Sequence, residues 1–152
     1  MNCMCDLTQF VISILVDDAR SEILAKLFME QVVLSSGMVA VVVVDVDSKF
    51  LHLFQEMCSK LDFLLWPLAR GNHKGNSVEK YHRFLNKTQT IVRADMGTHF
   101  SFVENSKTSQ YAWNSAPFDD TDIPRSLAAV GRHFKLSMDV KLSPNPVLND
   151  VD

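Results

Sequence analysis

Apolar positions along the first half of the chain switch between two periods. Thr8 to Val16 (TQFVISILV) is dense in β-branched and apolar residues and predicts a strand. From Ala19 to about Leu34 the spacing changes: Ile23, Leu24, Leu27, Phe28 and Val32 recur three and four apart, which predicts an amphipathic helix. Asp17 and Asp18 are its cap candidates and Gly37 its stop. Val39 to Val44 (VAVVVV) is an unbroken apolar run, the pattern of a strand covered on both faces in a parallel sheet, and Asp45 ends it. Helical spacing returns over Phe50 to Lys60 through Leu51, Phe54, Met57 and Cys58, and Phe63 to Trp66 predicts a short strand closed by Pro67. This strand–helix–strand order predicts a right-handed crossover, with Asp45 at the carboxyl edge where open α/β sheets place ligands.

The second half is more polar. Leu68 to Gly75 (LARGNHKG) predicts a loop, and Asn76 to about Val92 a helix whose buried face is Val78, Tyr81, Leu85, Thr88 and Val92. Lys80, Arg83 and Lys87 fall on a more exposed face of that helix. Lys107 to Trp113 predicts a further helix. Residues 1–141 are expected to form one α/β domain and 142–152, with two prolines and an acidic end, a flexible tail.

Composition narrows the class. The chain has 152 residues, 47% of them hydrophobic and 22% charged, the balance of a globular domain with a real core. No apolar run approaches the ~18 residues of a membrane helix. Three cysteines, Cys3, Cys5 and Cys58, without a repeated C-x-x-C, argue against a disulfide framework and against a zinc site. They suit a reducing compartment, nuclear or cytoplasmic. The net charge is −3, but it is unevenly spread: Arg70 to Arg93 holds six cations and one acid, a net +5, leaving −8 on the remainder. A basic stripe on an acidic body suits a phosphate-binding face.

Metal-assisted phosphoryl transfer needs carboxylates that share two divalent cations about 3.5–4 Å apart. Asp45, at a strand end, and Glu79, at the start of a helix, are candidates with 33 residues between them. Each also has a simpler reading, Asp45 as a turn residue and Glu79 as an acid that offsets the helix dipole. The histidines, His52, His73, His82, His99 and His133, show no paired ligand spacing, and Trp66 and Trp113 read as core or interface aromatics.

The surrounding motifs add to this pair. Asp45 to Phe50 reads D-V-D-S-K-F, and Gly75 to Arg83 reads G-N-S-V-E-K-Y-H-R. Tyr111 to Pro117 (YAWNSAP), Thr121 to Pro124 and Gly131-Arg132 follow, and Asp6 to Phe10 (DLTQF) stands upstream. In this order the blocks resemble the integrase catalytic core of retroviruses and long-terminal-repeat retrotransposons, with its D-x-G-x-x-F, N-G-x-x-E-R-x-x-R and Y-N-S-x-P motifs. The resemblance runs from about Asp6 to Arg132. It implies a ribonuclease-H-like mixed sheet flanked by helices, with Asp45 and Glu79 as catalytic, metal-holding acids for Mg²⁺ or Mn²⁺. It also implies DNA contacts from Lys74, Asn76, Lys80, Arg83 and Lys87, and a homo-oligomer working on DNA ends.

The chain departs from that pattern in places. Asp47 stands where the family has glycine, and the family's N-G before the glutamate is G-N here. The family's first catalytic aspartate lies on a strand before the position of Asp6, so the first strand is expected to be missing and this stretch of chain inactive in strand transfer. A non-catalytic nucleic-acid-binding or assembly module is the alternative, and a nuclease of the same fold a third. Asp95 to Phe100 (DMGTHF) also fits D-x-G-x-x-F and is a competing second aspartate, with Asp45 then the first.

Overall fold

A computed structural model of the chain describes residues 1–17, 20–45, 48–68, 77–96, 101–118 and 121–134. The protein is α/β. Two strands, β1 (Asn2–Met4) and β2 (Val11–Ser13), form an antiparallel hairpin with Cys3 opposite Ile12. The single strand expected over Thr8 to Val16 is therefore shorter, and β1 was not expected at all. Thr8 and Gln9 turn the chain instead. Gln9 adopts φ 54°, and the loop closes through Cys5 N–H to the Phe10 carbonyl at 2.9 Å and Gln9 N–H to the Cys5 carbonyl at 2.8 Å. A left-handed residue other than glycine costs on the order of 1 kcal/mol. Tertiary bonds hold this one: the Gln9 carbonyl accepts from Trp113 Nε1 at 2.9 Å and its side chain accepts from Arg125 at 3.3 Å.

The amphipathic helix forms as expected, with Leu24, Phe28 and Val32 buried. It runs as α1 (Ser21–Phe28), a π-helical segment (Met29–Val33) and a last α-turn, α2 (Leu34–Ser36). Its N-cap is Arg20, without a side-chain cap, so the expected cap at Asp17 does not form; Asp18 lies outside the described residues. Gly37 stops the helix at φ 94°, a conformation open to glycine, with its N–H on the Val33 carbonyl at 2.9 Å.

Next come β3 (Val41–Asp45), α3 (Ser48–Leu61) and β4 (Leu64–Leu68). The two strands pair in parallel, as expected, with Val41 opposite Leu64 and Asp45 opposite Leu68. Asp62, at φ 60°, ends α3 in the left-handed position that glycine more often fills. Pro67 lies within β4 rather than closing it. The valine run is covered on one face only. Val42 and Leu65 pack inward, whereas Val41 and Val43 are 45% and 53% exposed beside Leu64 and Trp66 at 70% and 66%. Burial on both faces, and a core place for Trp66, are thus corrected: among the described residues no second layer covers that side.

Three helices follow: α4 (Val78–Met96), α5 (Phe102–Ser115) and α6 (Arg125–Val130). Ser101 and Glu104 close a capping box that starts α5 five residues earlier than its apolar pattern suggests. The buried side of α5 carries Asn105, Ser106 and Ser109 ahead of Trp113, a polar face that hydrophobic spacing does not reveal. The expected tail, 142–152, lies outside the described residues. Among the described residues no helix is long and apolar enough to cross a membrane, and all three cysteines are free thiols.

The core has two parts that meet at the hairpin. One is Phe28, Val32, Val33, Cys58 and Phe63, with Met1, Cys3, Ile12, Val42 and Leu65 packed on it. The other is Val11, Tyr81, Leu85 and Trp113, joined by Met4 and Phe84. Alternation along β1 and β2 sends Cys3 and Ile12 to the first and Met4 and Val11 to the second, as strand geometry requires. Asn114 ties this centre to α5. It is fully buried, its Oδ1 accepts from Val11 N–H at 2.9 Å and its Nδ2 donates to the Val11 carbonyl at 2.8 Å.

Two outcomes follow from this packing. Asn114→Leu should leave both Val11 backbone groups without a partner and cost about 2–4 kcal/mol, read as a fall in the urea midpoint; an unchanged midpoint would show the pairing to be dispensable. Burial pushes the Cys3 thiol from about 9 up to about 11, opposed by the Met1 ammonium. A raised folded-state pKa stabilises fully below the unfolded value and is lost as pH climbs through the folded one. Stability should therefore fall between pH 9 and about 11, and Cys3→Ala should flatten that fall in denaturation curves taken across the window.

Candidate nucleic-acid interface

The orientation of α4 is set by its inner face. Tyr81 is fully buried, and its hydroxyl meets Ser13 Oγ at 2.9 Å. Its ring stands edge-on to Trp113 with centroids 5.6 Å apart, and Phe84 lies 5.3 Å from the same indole. Burial raises the Tyr81 phenol pKa, with the Ser13 bond acting in the opposite direction. At the helix start Ser77 Oγ donates to Asp6 Oδ1 at 3.1 Å, linking the first turn to the hairpin loop. Asp6 is thereby a loop residue rather than an acid at a strand end.

With Tyr81 and Leu85 inward, helical geometry determines where the polar residues go. At about 100° per residue, Glu79, Lys80, Arg83 and Lys87 fall within roughly 100° of arc on the side away from Tyr81. Lys80, Arg83 and Lys87 are exposed, as expected, and Glu79 is half-buried. Glu79 sits in the first turn and Arg93 in the last, each complementing the nearby helix end. Glu79 also precedes Arg83 by four residues, the favourable order for a helical ion pair. The face can therefore present fixed cations to a polyanion, with one acid at its leading end.

Asp45 occupies a different support. It is the last residue of β3, at the carboxyl end of the parallel ladder, opposite Leu68; its side-chain placement lies outside the described part. Lys74 and Asn76 also lie outside the described residues. Of the expected site residues, four thus come together on one helix face, and Asp45 is placed only by its backbone at a strand end. Among the described residues no group of three or more His, Cys, Asp or Glu side chains is assembled to hold a metal ion, so no chemical step through Mg²⁺ or Mn²⁺ follows from this geometry. Asp95 falls in the last turn of α4 and is exposed. It therefore lies on a helix, whereas Asp45 ends a strand.

The block from Tyr111 to Pro117 and the downstream arginine have structural work that motif reading did not reveal. Arg125 is 5% exposed and donates through Nη1 to the carbonyls of Trp113, Ala116 and Pro117 at 3.2, 3.1 and 2.7 Å. Its guanidinium lies 4.1 Å from the Trp113 ring centroid. These carbonyls sit at the C-terminal end of α5, where the helix dipole favours a cation. Trp113 is thus a core aromatic, as expected. The only sequence sign of this role was an arginine directly after Pro124, at a helix start.

No protein-family model matches the chain, and no curated protein matches it.

Tyr81→Phe should lower stability by about 1 kcal/mol through the lost Ser13 bond while leaving the cationic face in place. Thermal or urea unfolding reads the first, and polyanion binding in low salt the second; loss of both would show that the hydroxyl holds the helix orientation.

Proposed function

We propose that the chain is an integrase-type, ribonuclease-H-like core that binds DNA through α4 and is inactive in strand transfer without a further catalytic aspartate. One observation carries this reading: the helix that opens with Glu79 turns Lys80, Arg83 and Lys87 outward together, downstream of a parallel strand pair whose first member ends at Asp45. The motif blocks occur in the order of the retroviral and retrotransposon cores, which supports the same assignment. In it, Asp45 and Glu79 would be the acids that hold Mg²⁺ or Mn²⁺, whose charge would supply Lewis acidity for phosphodiester chemistry. Lys74, Asn76, Lys80, Arg83 and Lys87 bind the DNA backbone and add affinity without sequence preference. The assembly is a homo-oligomer on element ends and target, in the nucleus or cytoplasm.

The second reading, a nucleic-acid-binding or assembly module without catalysis, is favoured by the same exposed cations, which need no metal to act. DNA binding by the full chain, followed against salt concentration, separates the contributions. Lys80→Ala combined with Lys87→Ala should weaken binding and make the log–log salt slope shallower by about 2, whereas Asp45→Asn should leave binding unchanged. No binding at low salt would remove both readings. Strand transfer with Mg²⁺ or Mn²⁺ should be absent; robust turnover abolished by Glu79→Gln would instead show the chain to be catalytically complete.

A further inference from the structure

Three of the sequence blocks contain residues that the cationic face of α4 leaves out: Phe10 of DLTQF, Tyr111 of YAWNSAP and the Gly131-Arg132 pair. The fold brings them together around Phe134. Gly131 ends α6 at φ 70°, and Phe134 N–H donates to Ser126 Oγ at 3.3 Å, which holds the chain beyond the helix against it. The Phe134 ring stacks on Tyr111, with centroids 5.6 Å apart and an angle of 11° between the planes. Phe10 meets Phe134 edge-on at 6.2 Å, and the Arg132 guanidinium lies 5.9 Å from the same ring centroid.

This cluster is part of the surface. Tyr111 is 41% exposed, Phe134 is half-buried, and Arg132 and His133 are exposed. On α5, Lys107 precedes Tyr111 by four residues and is exposed, so it neighbours the ring on the same side of the helix. The acid on that side, Glu104, is turned to the helix start, where Ser101 N–H and Oγ donate to its Oε2 at 3.0 and 2.7 Å. Two cations, Lys107 and Arg132, thus border the stacked rings, and the nearby carboxylate is engaged elsewhere.

A flat aromatic surface bordered by cations matches a ligand that is planar and anionic at once. A nucleotide is both. Its base can lie on a protein ring only when no neighbouring base covers that face, a condition that a single strand meets and the interior of a duplex does not. We propose that Tyr111 and Phe134, flanked by Lys107 and Arg132, form a platform on which an unpaired base of single-stranded nucleic acid stacks while the two cations take its phosphates. Every base has a π-face, so the platform is tolerant of sequence. Arg132, already beside a ring, adds a cation–π contribution. The site uses none of the α4 cations and stands whether or not α4 holds duplex DNA.

The probe is a fluorescein-labelled oligothymidylate of about ten nucleotides, titrated with the full chain at low salt and read by anisotropy. Tyr111→Leu keeps an apolar side chain at an exposed position and removes the flat face. It should weaken binding about tenfold, whereas Tyr111→Phe should bind as the unchanged protein does. Arg132→Ala should make the log–log salt slope shallower by about 0.7, the share of one single-strand phosphate. An abasic strand of the same length, with phosphates but no bases, should bind about tenfold more weakly and be indifferent to Tyr111→Leu. Lys80→Ala combined with Lys87→Ala should spare oligothymidylate binding, and Tyr111→Leu should spare duplex binding, so that failure of either site is seen without the other. Two results overturn the proposal. Abasic and thymidylate strands bound alike would reduce the site to polyanion attraction, and thymidylate binding unchanged by Tyr111→Leu would place the bases elsewhere.

Discussion

The amide of Asn114 reaches across 103 residues to behave as a strand neighbour of Val11, accepting from its N–H and donating to its carbonyl. A primary amide is the one neutral side chain that presents a donor and an acceptor in the spacing of a peptide group. Because the pair is buried, removing it would strand backbone groups where water cannot replace it. Much else is arranged around this contact. It closes the outer edge of β2, fixes how α5 lies along the hairpin, and so sets the position of Trp113. The indole then takes the Gln9 carbonyl, the Tyr81 ring and the Arg125 guanidinium. Tyr81 in turn decides which side of α4 faces outward.

Arg125 adds a second constraint of a different kind. A buried cation is expensive, and here carbonyls at the end of α5 accept from Nη1 and Gln9 Oε1 accepts from Nη2, which offsets part of that cost. The short helix α6 is held by its first residue as much as by apolar contact. Together Asn114, Trp113 and Arg125 explain why a polar block near the end of the described chain matters to a hairpin at its start. They also account for a second core cluster in which an alcohol and an amide accompany only a handful of apolar side chains.

Sequence reading recovered the parts of this fold that rest on apolar periodicity. The helical face of Leu24, Phe28 and Val32, the parallel valine strand with its crossover helix, and the split of α4 into a Tyr81–Leu85 side and a cationic side were all legible. What escaped it depended on polar or long-range pairing. Asn2 to Met4 is too short to carry a pattern and is a strand only because Val11 to Ser13 lies beside it. The early turns of α5 bury serine and asparagine, which read as surface. The valine run promised cover on both sides, but a hydrophobic run records only what its side chains prefer, not whether another layer is present. For the candidate site, the outward cations and the first-turn place of Glu79 were legible, since both follow from helix phase. Arg125 was not, since nothing about an isolated arginine indicates whether water or carbonyls surround it.

The π-helical segment at Met29–Val33 carries a consequence for how this chain tolerates change in length. Such a turn is an α-helix with one surplus residue, absorbed as a bulge. Leu24 and Phe28 before it and Val32 and Val33 within it all meet the core. The surplus is taken up within the segment, so that Val32 and Val33 stay on the inward side. A deletion of one residue in that stretch would heal into ordinary α-helix, whereas one between Tyr81 and Leu85 in α4 would bring Asn86 to the buried place of Leu85. Length variation among sequences of this fold should accordingly gather in the first helix and be scarce in the one that carries the cations.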